Sequence, residues 1–514
     1  MSFKNTLVYA WNVISFIGFA LILLGTALVA TFQAIEVMHE IHNPYIGILI
    51  YFIFPGILVT GLALVPLGIY LKRNQMRKTD PNGIPKYPTI DLNDPKRRKI
   101  AIFFSLATVI FAVLITLSGV KGYEFTESVT FCGKLCHVAM EPEYVAWGHS
   151  PHAKVKCVEC HVGPGVEWYV KAKISGTRQL FAVMLNTFER PIQTPVQNLR
   201  PSSQTCEECH WPDKFFSPRL KKFYHYAPNE KNTPRETDLL IFINGTPETP
   251  LEGGVHWHIG QEVTYIPRDK SRQDIPYISV KGKDGKVREY VSTEKPLTKD
   301  EMAKGEKRTM DCIDCHNRPT HIYKSPGQAI DANLQGGRID RDLPYIKKVA
   351  VGLLTEHTYQ TTQEAKTAIE KGINDYYRKN YPALARDKAA QIQKAITEVQ
   401  EIYAQNFFPR MKVAWNTYPN NIGHFNFPGC FRCHDDKHKS ADGHVVRKDC
   451  KLCHKVIREI QENIPAGTVV QTFVHPVDIG DEIYKTNCNE CHQPPKVEHE
   501  EKGGEKKEKH VSNK

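Results

Sequence analysis

The 514-residue sequence has no stretch in which aromatic and basic residues alternate, the pattern with which proteins stack and neutralise single-stranded nucleic acid. Its formal net charge of +11 is concentrated in one short loop and a Lys-rich C-terminal tail. A nucleic-acid partner is therefore not expected. The sequence also has no cysteine outside seven paired motifs, so none remains for a separate disulfide framework.

Long apolar runs are confined to the first 120 positions. They cover residues 7–30, 46–71 and 100–120, and each is about as long as a helix that crosses a bilayer. A cleaved signal peptide is the alternative for the first run, but that run is too long and two further spans follow it. The sequence predicts a membrane anchor with three transmembrane helices over residues 1–122.

The basic residues near these spans predict the orientation of the anchor. The loop between the first two spans has no Lys or Arg. The loop between the second and third holds nine: Lys72, Arg73, Arg77, Lys78, Lys86, Lys96, Arg97, Arg98 and Lys99. Because basic loops stay in the cytoplasm, we expect a multi-pass protein of the inner membrane whose chain after about Gly122 is periplasmic.

Every cysteine belongs to a pair that is followed directly by a histidine. Six pairs have the C-x-x-C-H spacing by which c-type haem is attached: Cys157/Cys160/His161, Cys206/Cys209/His210, Cys312/Cys315/His316, Cys430/Cys433/His434, Cys450/Cys453/His454 and Cys488/Cys491/His492. The remaining pair, Cys132/Cys136/His137, has three residues between its cysteines. The two thiols form thioethers to the porphyrin vinyl groups, and the imidazole binds the iron. The sequence therefore predicts seven covalently bound haems.

Zinc is the main competing interpretation, because C-x-x-C pairs also build tetrahedral thiolate sites. Histidine occupies 22 of the 514 positions, so chance would place it after a given cysteine pair roughly one time in 23. It follows all seven pairs. This regularity favours haem over zinc or disulfides.

Each motif supplies one axial ligand, and further histidines are candidates for the other: His149, His152, His256, His258, His321, His424 and His438. A haem iron with two imidazoles has no open position and serves to relay electrons. The first motif differs, since Met140 lies three residues after His137 and is either a thioether ligand or a packing residue.

The fold predicted from these features is a membrane-anchored multihaem cytochrome c with a mainly helical or irregular periplasmic domain and a small β-rich insertion. Three haem motifs lie in residues 123–230, the β-rich insertion in 231–300, the fourth motif and a helical region in 301–420, three motifs in 421–495, and a charged, disordered tail in 496–514. Helical spacing of apolar residues predicts helices over residues 345–354, 365–377 and 389–403, with a break at Pro382.

The succession CHVAMEPEY, SPHAKVKCVECHVGPG, WYVKAKISG and RPSSQTCEECHWPDKF, directly after a membrane anchor, resembles the NapC/NirT/NrfH family of membrane-bound quinol dehydrogenases. The resemblance covers roughly residues 100–220. The three-span anchor and seven motifs are similar to the larger inner-membrane cytochromes of metal-respiring bacteria.

The resemblance implies oxidation of membrane quinol, usually menaquinol, beside the first haem, and transfer of electrons to a periplasmic c-type cytochrome or other redox partner. It implies Met140 as a ligand of that haem, although this chain has an extra residue in the motif and another before Met140. It also implies a quinol site in WYVKAKISG that includes Lys171 and Lys173, with Glu167 nearby, whereas Ile174 and Ser175 stand where the family has an acidic residue.

Three alternatives to a quinol site remain open. WYVKAKISG is also typical of an amphipathic segment at the membrane surface, with Trp168 and Tyr169 at the headgroups. The whole chain is alternatively a terminal reductase of a small nitrogen or sulfur oxyanion, or a passive electron-transfer subunit. In the anchor, Glu36, His39 and His42 offer a second route for protons.

Overall fold

A computed structural model of the chain describes residues 11–38, 43–79, 92–163, 165–196, 199–211, 217–243, 254–282 and 284–460, with residues 480, 486 and 491. The chain forms two compact units, Met1–Glu141 with Lys156–Glu159, and Pro142–Val155 with Cys160–Lys514. The predicted tail at 496–514 lies outside the described residues, and the predicted segment boundaries remain predictions.

The first unit is helical. Its helices are α1 (Val13–Met38), α2 (Pro44–Ile48), a π-helical turn (Leu49–Ile53), α3 (Phe54–Thr79) and α4 (Pro95–Thr126). Three segments are long and apolar enough to cross a membrane: Val13–Glu36, Tyr45–Thr79 and Pro95–Thr126. The three predicted spans are thus confirmed as helices, apart from residues 7–10, which lie outside the described part of the chain.

Small residues allow α1 and α3 to pack closely. A Cβ atom on Gly61 would lie 2.8 Å from the carbonyl oxygen of Gly18 and 2.8 Å from the amide nitrogen of Ile22. Ser15 lies in the same interface and donates a hydrogen bond to the Val65 carbonyl at 3.2 Å. Close backbone approach at small residues is the usual way in which membrane helices associate, because lipid supplies no hydrophobic drive for it.

Short helices carry the first two cysteine motifs and the segment after them. They are a π-helical turn at Thr130–Leu135, α5 (His137–Gly148), α6 (Cys157–His161) and α7 (Val166–Met184). Short 3₁₀ turns follow at Ser202–Gln204 and Cys206–Glu208. None of the side chains of α7 is buried, which sets it apart from the helices of the second unit's core.

In the described part of the second unit, eight strands form two antiparallel sheets. They are β1 (Arg219–Tyr226), β2 (Pro234–Ile241), β3 (Glu262–Ile266), β4 (Tyr277–Lys281), β5 (Val287–Ser292), β6 (Arg308–Thr309), β7 (His438–Lys439) and β8 (His454–Ile460). The strand orders are β1-β2-β8 and β6-β3-β4-β5-β7. Strands inside 231–300 therefore pair with strands far outside that segment, and the β2–β8 pairing ties the sixth motif to the rest of the unit.

The remaining helices of the second unit are α8 (Trp257–Gly260), α9 (Lys299–Lys304), α10 (Cys312–Cys315), α11 (Pro326–Gln335), α12 (Ile346–Thr355), α13 (Thr362–Asn380), α14 (Pro382–Asp387) and α15 (Ala389–Asn406). Short 3₁₀ turns lie at Pro409–Met411, Gly429–Arg432 and Cys450–Leu452.

Helices α11 to α15 enclose the largest apolar core. Its fully buried members include Ile330, Ile369, Tyr377 and Ile396. The three predicted helices are confirmed as α12, α13 and α15. The predicted break is confirmed as well, since α13 ends at Asn380 and Pro382 opens α14, where its missing N–H costs nothing.

The packing of α1 on α3 yields a test of the anchor. Gly61→Leu should lower the melting temperature of the protein in detergent by several degrees, because overpacking against backbone atoms costs about 1–3 kcal/mol. Gly56→Leu on the same helix is the matched control, since nothing lies within 4 Å of a Cβ atom there. Differential scanning fluorimetry measures both variants. Equal melting temperatures would contradict the packing described here.

Candidate haem sites

The attachment motifs share one turn of backbone. The N–H of the motif histidine donates to the carbonyl oxygen of the first cysteine at 2.8 Å for His210, 2.8 Å for His316 and 3.0 Å for His434. Residues one turn apart lie on the same side of a helical turn. The turn therefore presents the two thiols and the imidazole together, as covalent attachment of a haem with axial ligation requires.

The motif cysteines differ in how far the protein covers them. Cys209 is exposed directly after the 3₁₀ turn Cys206–Glu208, whereas Cys206 at the start of the same turn is only partly exposed. The motif spacing carries no information about this difference, which depends on what packs around the turn. Three other described motif cysteines are also exposed: Cys160, Cys450 and Cys491. Haem attachment at each of the motif cysteines, exposed or covered, stays a prediction from the motif.

Among the described residues of the second unit, five pairs of histidine rings face each other. Each joins a motif histidine to one of the candidate sixth ligands. The ring centroids are separated by 6.0 Å in His152–His210, 6.3 Å in His161–His321, 6.3 Å in His256–His316, 5.8 Å in His258–His434 and 6.1 Å in His424–His454.

This spacing fits a metal ion between the two rings. Imidazole nitrogens bind transition metals at about 2 Å, so two imidazoles on opposite sides of one iron place their centroids about 6 Å apart. The five pairs match that distance although their interplanar angles range from 23° in His424–His454 to 87° in His258–His434. The side chains present therefore fit five haem irons with two imidazole ligands each.

The protonation of these rings also suits ligation, because an imidazole binds a metal through the lone pair of its neutral form. Burial lowers the pKa of His256 to about 4. Burial likewise lowers the pKa of six other members of the pairs: His161, His258, His316, His321, His424 and His454. These rings are neutral at pH 7.

Two candidates stand in other surroundings. The exposed ring of His149 has its Nδ1 atom 2.9 Å from the Val145 carbonyl of its own helix. His438 has Nδ1 2.8 Å from the Asp435 carboxylate and Nε2 2.7 Å from the Ile275 carbonyl. Burial would lower the pKa of His438, but these hydrogen bonds raise it. With both nitrogens engaged, the His438 side chain links Asp435 to the segment before β4 and offers no lone pair.

The first motif lies in the first unit. The same unit includes Lys156–Glu159, which contains the first cysteine of the second motif. Cys132 and Cys157 are within hydrogen-bonding contact, and this contact lowers the pKa of Cys157 to about 7. Met140 is partly buried on α5, and the side chain of His137 lies outside the described part of the chain. Of the last motif, Cys488 and His492 also lie outside the described residues.

Two of the histidine pairs are connected by only one residue of chain, because their candidate ligands are two positions apart. His256 and His258 flank Trp257, yet they pair with different motif histidines, His316 and His434. The fourth and fifth sites are therefore adjacent. Sequence analysis identified both histidines as candidates but gave no signal that separates their partners.

The segment WYVKAKISG lies on α7. Lys171 Nζ is 2.6 Å from Glu167 Oε1, and this ion pair lowers the pKa of Glu167. Lys171 also lies over the Trp168 ring at 5.0 Å, and Lys173 lies over the Tyr169 ring at 4.9 Å. Exposed apolar side chains follow the helix at helical spacing: Val166, Val170, Ile174, Phe181 and Met184. All three predicted quinol-site residues are thus on one amphipathic helix.

Comparison with known proteins places this geometry in a family. Residues 94–215 match the NapC/NirT cytochrome c family, N-terminal region. The chain is 57% identical over 510 residues, which is 99% of this chain and 100% of the relative, to the cytochrome c-type protein ImcH of Geobacter sulfurreducens. The chain belongs to the NapC/NirT family of membrane multihaem c-type cytochromes.

A second relative matches a shorter stretch of the chain. The cytochrome c-type protein NrfH of Wolinella succinogenes is 30% identical over 112 residues, which is 21% of this chain and 62% of the relative. No solved structure matches the chain. The family assignment establishes covalent c-type haem, electron transport and an inner-membrane location, in agreement with the three membrane-spanning helices.

The pairing of His152 with His210 predicts a spectroscopic difference between two neighbouring histidines. His152→Ala should convert one low-spin haem to a high-spin form that binds cyanide, because its iron loses an imidazole. His149→Ala, three residues earlier, should leave every haem low-spin. Ultraviolet–visible and electron paramagnetic resonance spectra of the oxidised proteins distinguish the two. A high-spin haem in the His149 variant but not in the His152 variant would contradict the pairing.

Proposed function

We propose that this protein is a quinol dehydrogenase that oxidises membrane quinol, menaquinol in its usual form, and delivers the electrons to a periplasmic acceptor in anaerobic respiration. The observation that carries the proposal is the set of five facing histidine pairs downstream of a three-span membrane anchor. Saturated iron ligation favours conduction over chemistry on a bound substrate.

Seven haems are proposed, one for each cysteine motif. Five would be held by the histidine pairs. The first would be held by Cys132, Cys136 and His137 with Met140 as the candidate second ligand, and the last by Cys488, Cys491 and His492. When bound, the haems accept the two electrons of a quinol one at a time and pass them along the series.

Helix α7 is the proposed place of quinol entry. Quinol oxidation releases two protons with its two electrons, so polar groups must lie beside the quinol hydroxyls. Glu167 is held ionised by Lys171 and can accept a hydrogen bond from a hydroxyl, while Lys173 can donate one. The exposed apolar side of α7 supports its position at the membrane surface, where a lipid-soluble quinol is found.

The anchor offers a second group for proton transfer. Glu36 lies at the end of the first candidate span and accepts a hydrogen bond from Tyr51. His39 and His42, proposed with Glu36 as an alternative proton route, lie outside the described residues. The charge of the loops supports a periplasmic position for this end of the span and for the haem-bearing unit.

The direct test is reduction of the purified, haem-loaded protein in detergent by a menaquinol analogue, followed by visible absorption. Lys173→Ala should slow the first phase of haem reduction roughly ten- to a hundredfold without removing a haem, because the quinol is misplaced. The absorption changes are recorded by stopped flow.

Lys371→Ala provides the control for loss of a lysine from a surface helix, since Lys371 lies on α13 in an exposed ion pair with Asp375 at 2.6 Å and belongs to no proposed site. The haems of this control variant should be reduced by the menaquinol analogue at the same rate as those of the unmodified protein. Failure of every haem to be reduced by quinol would replace the proposal with a passive electron-transfer subunit. Unchanged kinetics in the Lys173 variant would remove that residue from the site.

A further inference from the structure

Glu143 lies against the candidate axial ligand His321. Its carboxylate Oε2 is 3.0 Å from Nδ1 of His321, and its backbone carbonyl is 3.1 Å from the same nitrogen. The carboxylate also accepts hydrogen bonds from Arg318 Nη2 at 3.2 Å and from the Tyr323 hydroxyl at 3.1 Å. His321 in turn faces the motif histidine His161. The cluster thus connects a buried charge to one haem pair.

Arg318 keeps this carboxylate in place. Its Nε donates to the His321 carbonyl at 2.7 Å, and its guanidinium lies over the rings of Tyr323 at 4.9 Å and Tyr418 at 4.5 Å. The Arg318 side chain is only 7% exposed, so its charge needs a buried partner, which Glu143 provides. The orientation of Glu143 is therefore fixed from two sides.

A backbone carbonyl beside Nδ1 also occurs in other described pairs, but without a carboxylate. In His258 this nitrogen lies 3.0 Å from the Val255 carbonyl, and in His434 it lies 3.0 Å from the Arg447 carbonyl. The buried Nδ1 atoms of His152, His424 and His454 have no hydrogen-bond partner. Among the described residues, His321 is the one paired histidine with a carboxylate within ion-pairing distance.

We propose that Glu143 is a positioning residue for the haem between His161 and His321, and that it holds the reduction potential of this haem below the value it would otherwise have. The Nδ1–H of His321 donates to the Glu143 backbone carbonyl, which fixes the tautomer in which Nε2 carries the lone pair. The carboxylate of Glu143 lies 3.0 Å from the same nitrogen and stabilises this N–H electrostatically. It also makes the imidazole a more basic ligand, which favours ferric over ferrous iron. The inference rests on the proposed haem at this pair.

The position of Glu143 in the chain connects its effect on the reduction potential to the first two attachment motifs. Glu143 is on α5, the helix that begins at His137 and carries Met140. The helix that starts at the first motif thus supplies the group that tunes the second haem. Glu143 stands within CHVAMEPEY, but no local pattern marks its role, because its partner His321 lies 178 positions away in the chain.

Glu143→Gln tests the inference by potentiometric titration of the haem-loaded protein with absorption detection. Loss of the charge should shift the equilibrium of one haem about tenfold toward the ferrous form, which is about 59 mV for one electron. The haem should stay low-spin. Glu141→Gln is the matched control, an exposed glutamate two residues earlier on the same helix, and should change no potential.

Tyr323→Phe should shift the reduction potential of the same haem in the direction opposite to Glu143→Gln. It removes a hydrogen-bond donor from Glu143 and leaves the carboxylate a stronger acceptor, so the same haem should become harder to reduce. This variant decides the question if Glu143→Gln does not accumulate as folded protein. Unchanged potentials, or a shift of Tyr323→Phe in the direction of Glu143→Gln, would overturn the inference.

His321→Ala separates the inference from the proposed function. A new high-spin haem in this variant shows that the pair holds an iron, and unchanged potentials in Glu143→Gln would then refute the role of Glu143 alone. If His321→Ala leaves every haem low-spin, the proposed pairing itself fails. No quinol is used in these titrations, so they do not depend on whether quinol is the electron donor.

Discussion

The distance of about 6 Å between facing imidazoles is the constraint on which the second unit depends. Each pair joins segments that are far apart in sequence: His161 with His321, and His258 with His434. In the proposed haem ligation, coordination of one iron by both rings closes these long loops, and binding energy gained only in the folded state is folding energy. We therefore regard the haem pairs as structural cross-links as well as redox centres.

The helical core and the sheets complement these cross-links in different ways. Helices α11 to α15 bury their own apolar side chains around residues such as Ile369 and Tyr377, so this part has a core made of protein alone. The sheets instead join distant parts of the chain, since β8 begins at the motif histidine His454 and pairs with β2. Through this pairing the sheet holds the sixth motif, which ends at His454, beside Pro234–Ile241.

Much of the architecture was predictable from sequence because it depends on local pattern. The three spans, helices α12, α13 and α15, and the break at Pro382 follow from apolar periodicity and from the missing N–H of proline. The cysteine spacing identified the attachment motifs for the same reason. Each of these features is contained in a short stretch of chain. The unequal exposure of Cys206 and Cys209 is not, since it depends on what packs around their turn.

The partners of the motif histidines could not be predicted, because they are set by tertiary packing. His149 and His152 are three positions apart and equally polar, yet only His152 faces a motif histidine among the described residues. His438 looked equally suitable, but Asp435 and the Ile275 carbonyl engage both of its nitrogens. The carboxylate behind His321 was missed for the same reason, since no local pattern connects Glu143 to that ring.

Near-infrared magnetic circular dichroism of the fully oxidised, haem-loaded protein tests the central claim most directly, because its charge-transfer bands identify the pair of axial ligands on each ferric haem. The account predicts at least five haems per chain with two imidazole ligands. Fewer than five such haems would contradict the histidine pairing from which the proposed function is argued.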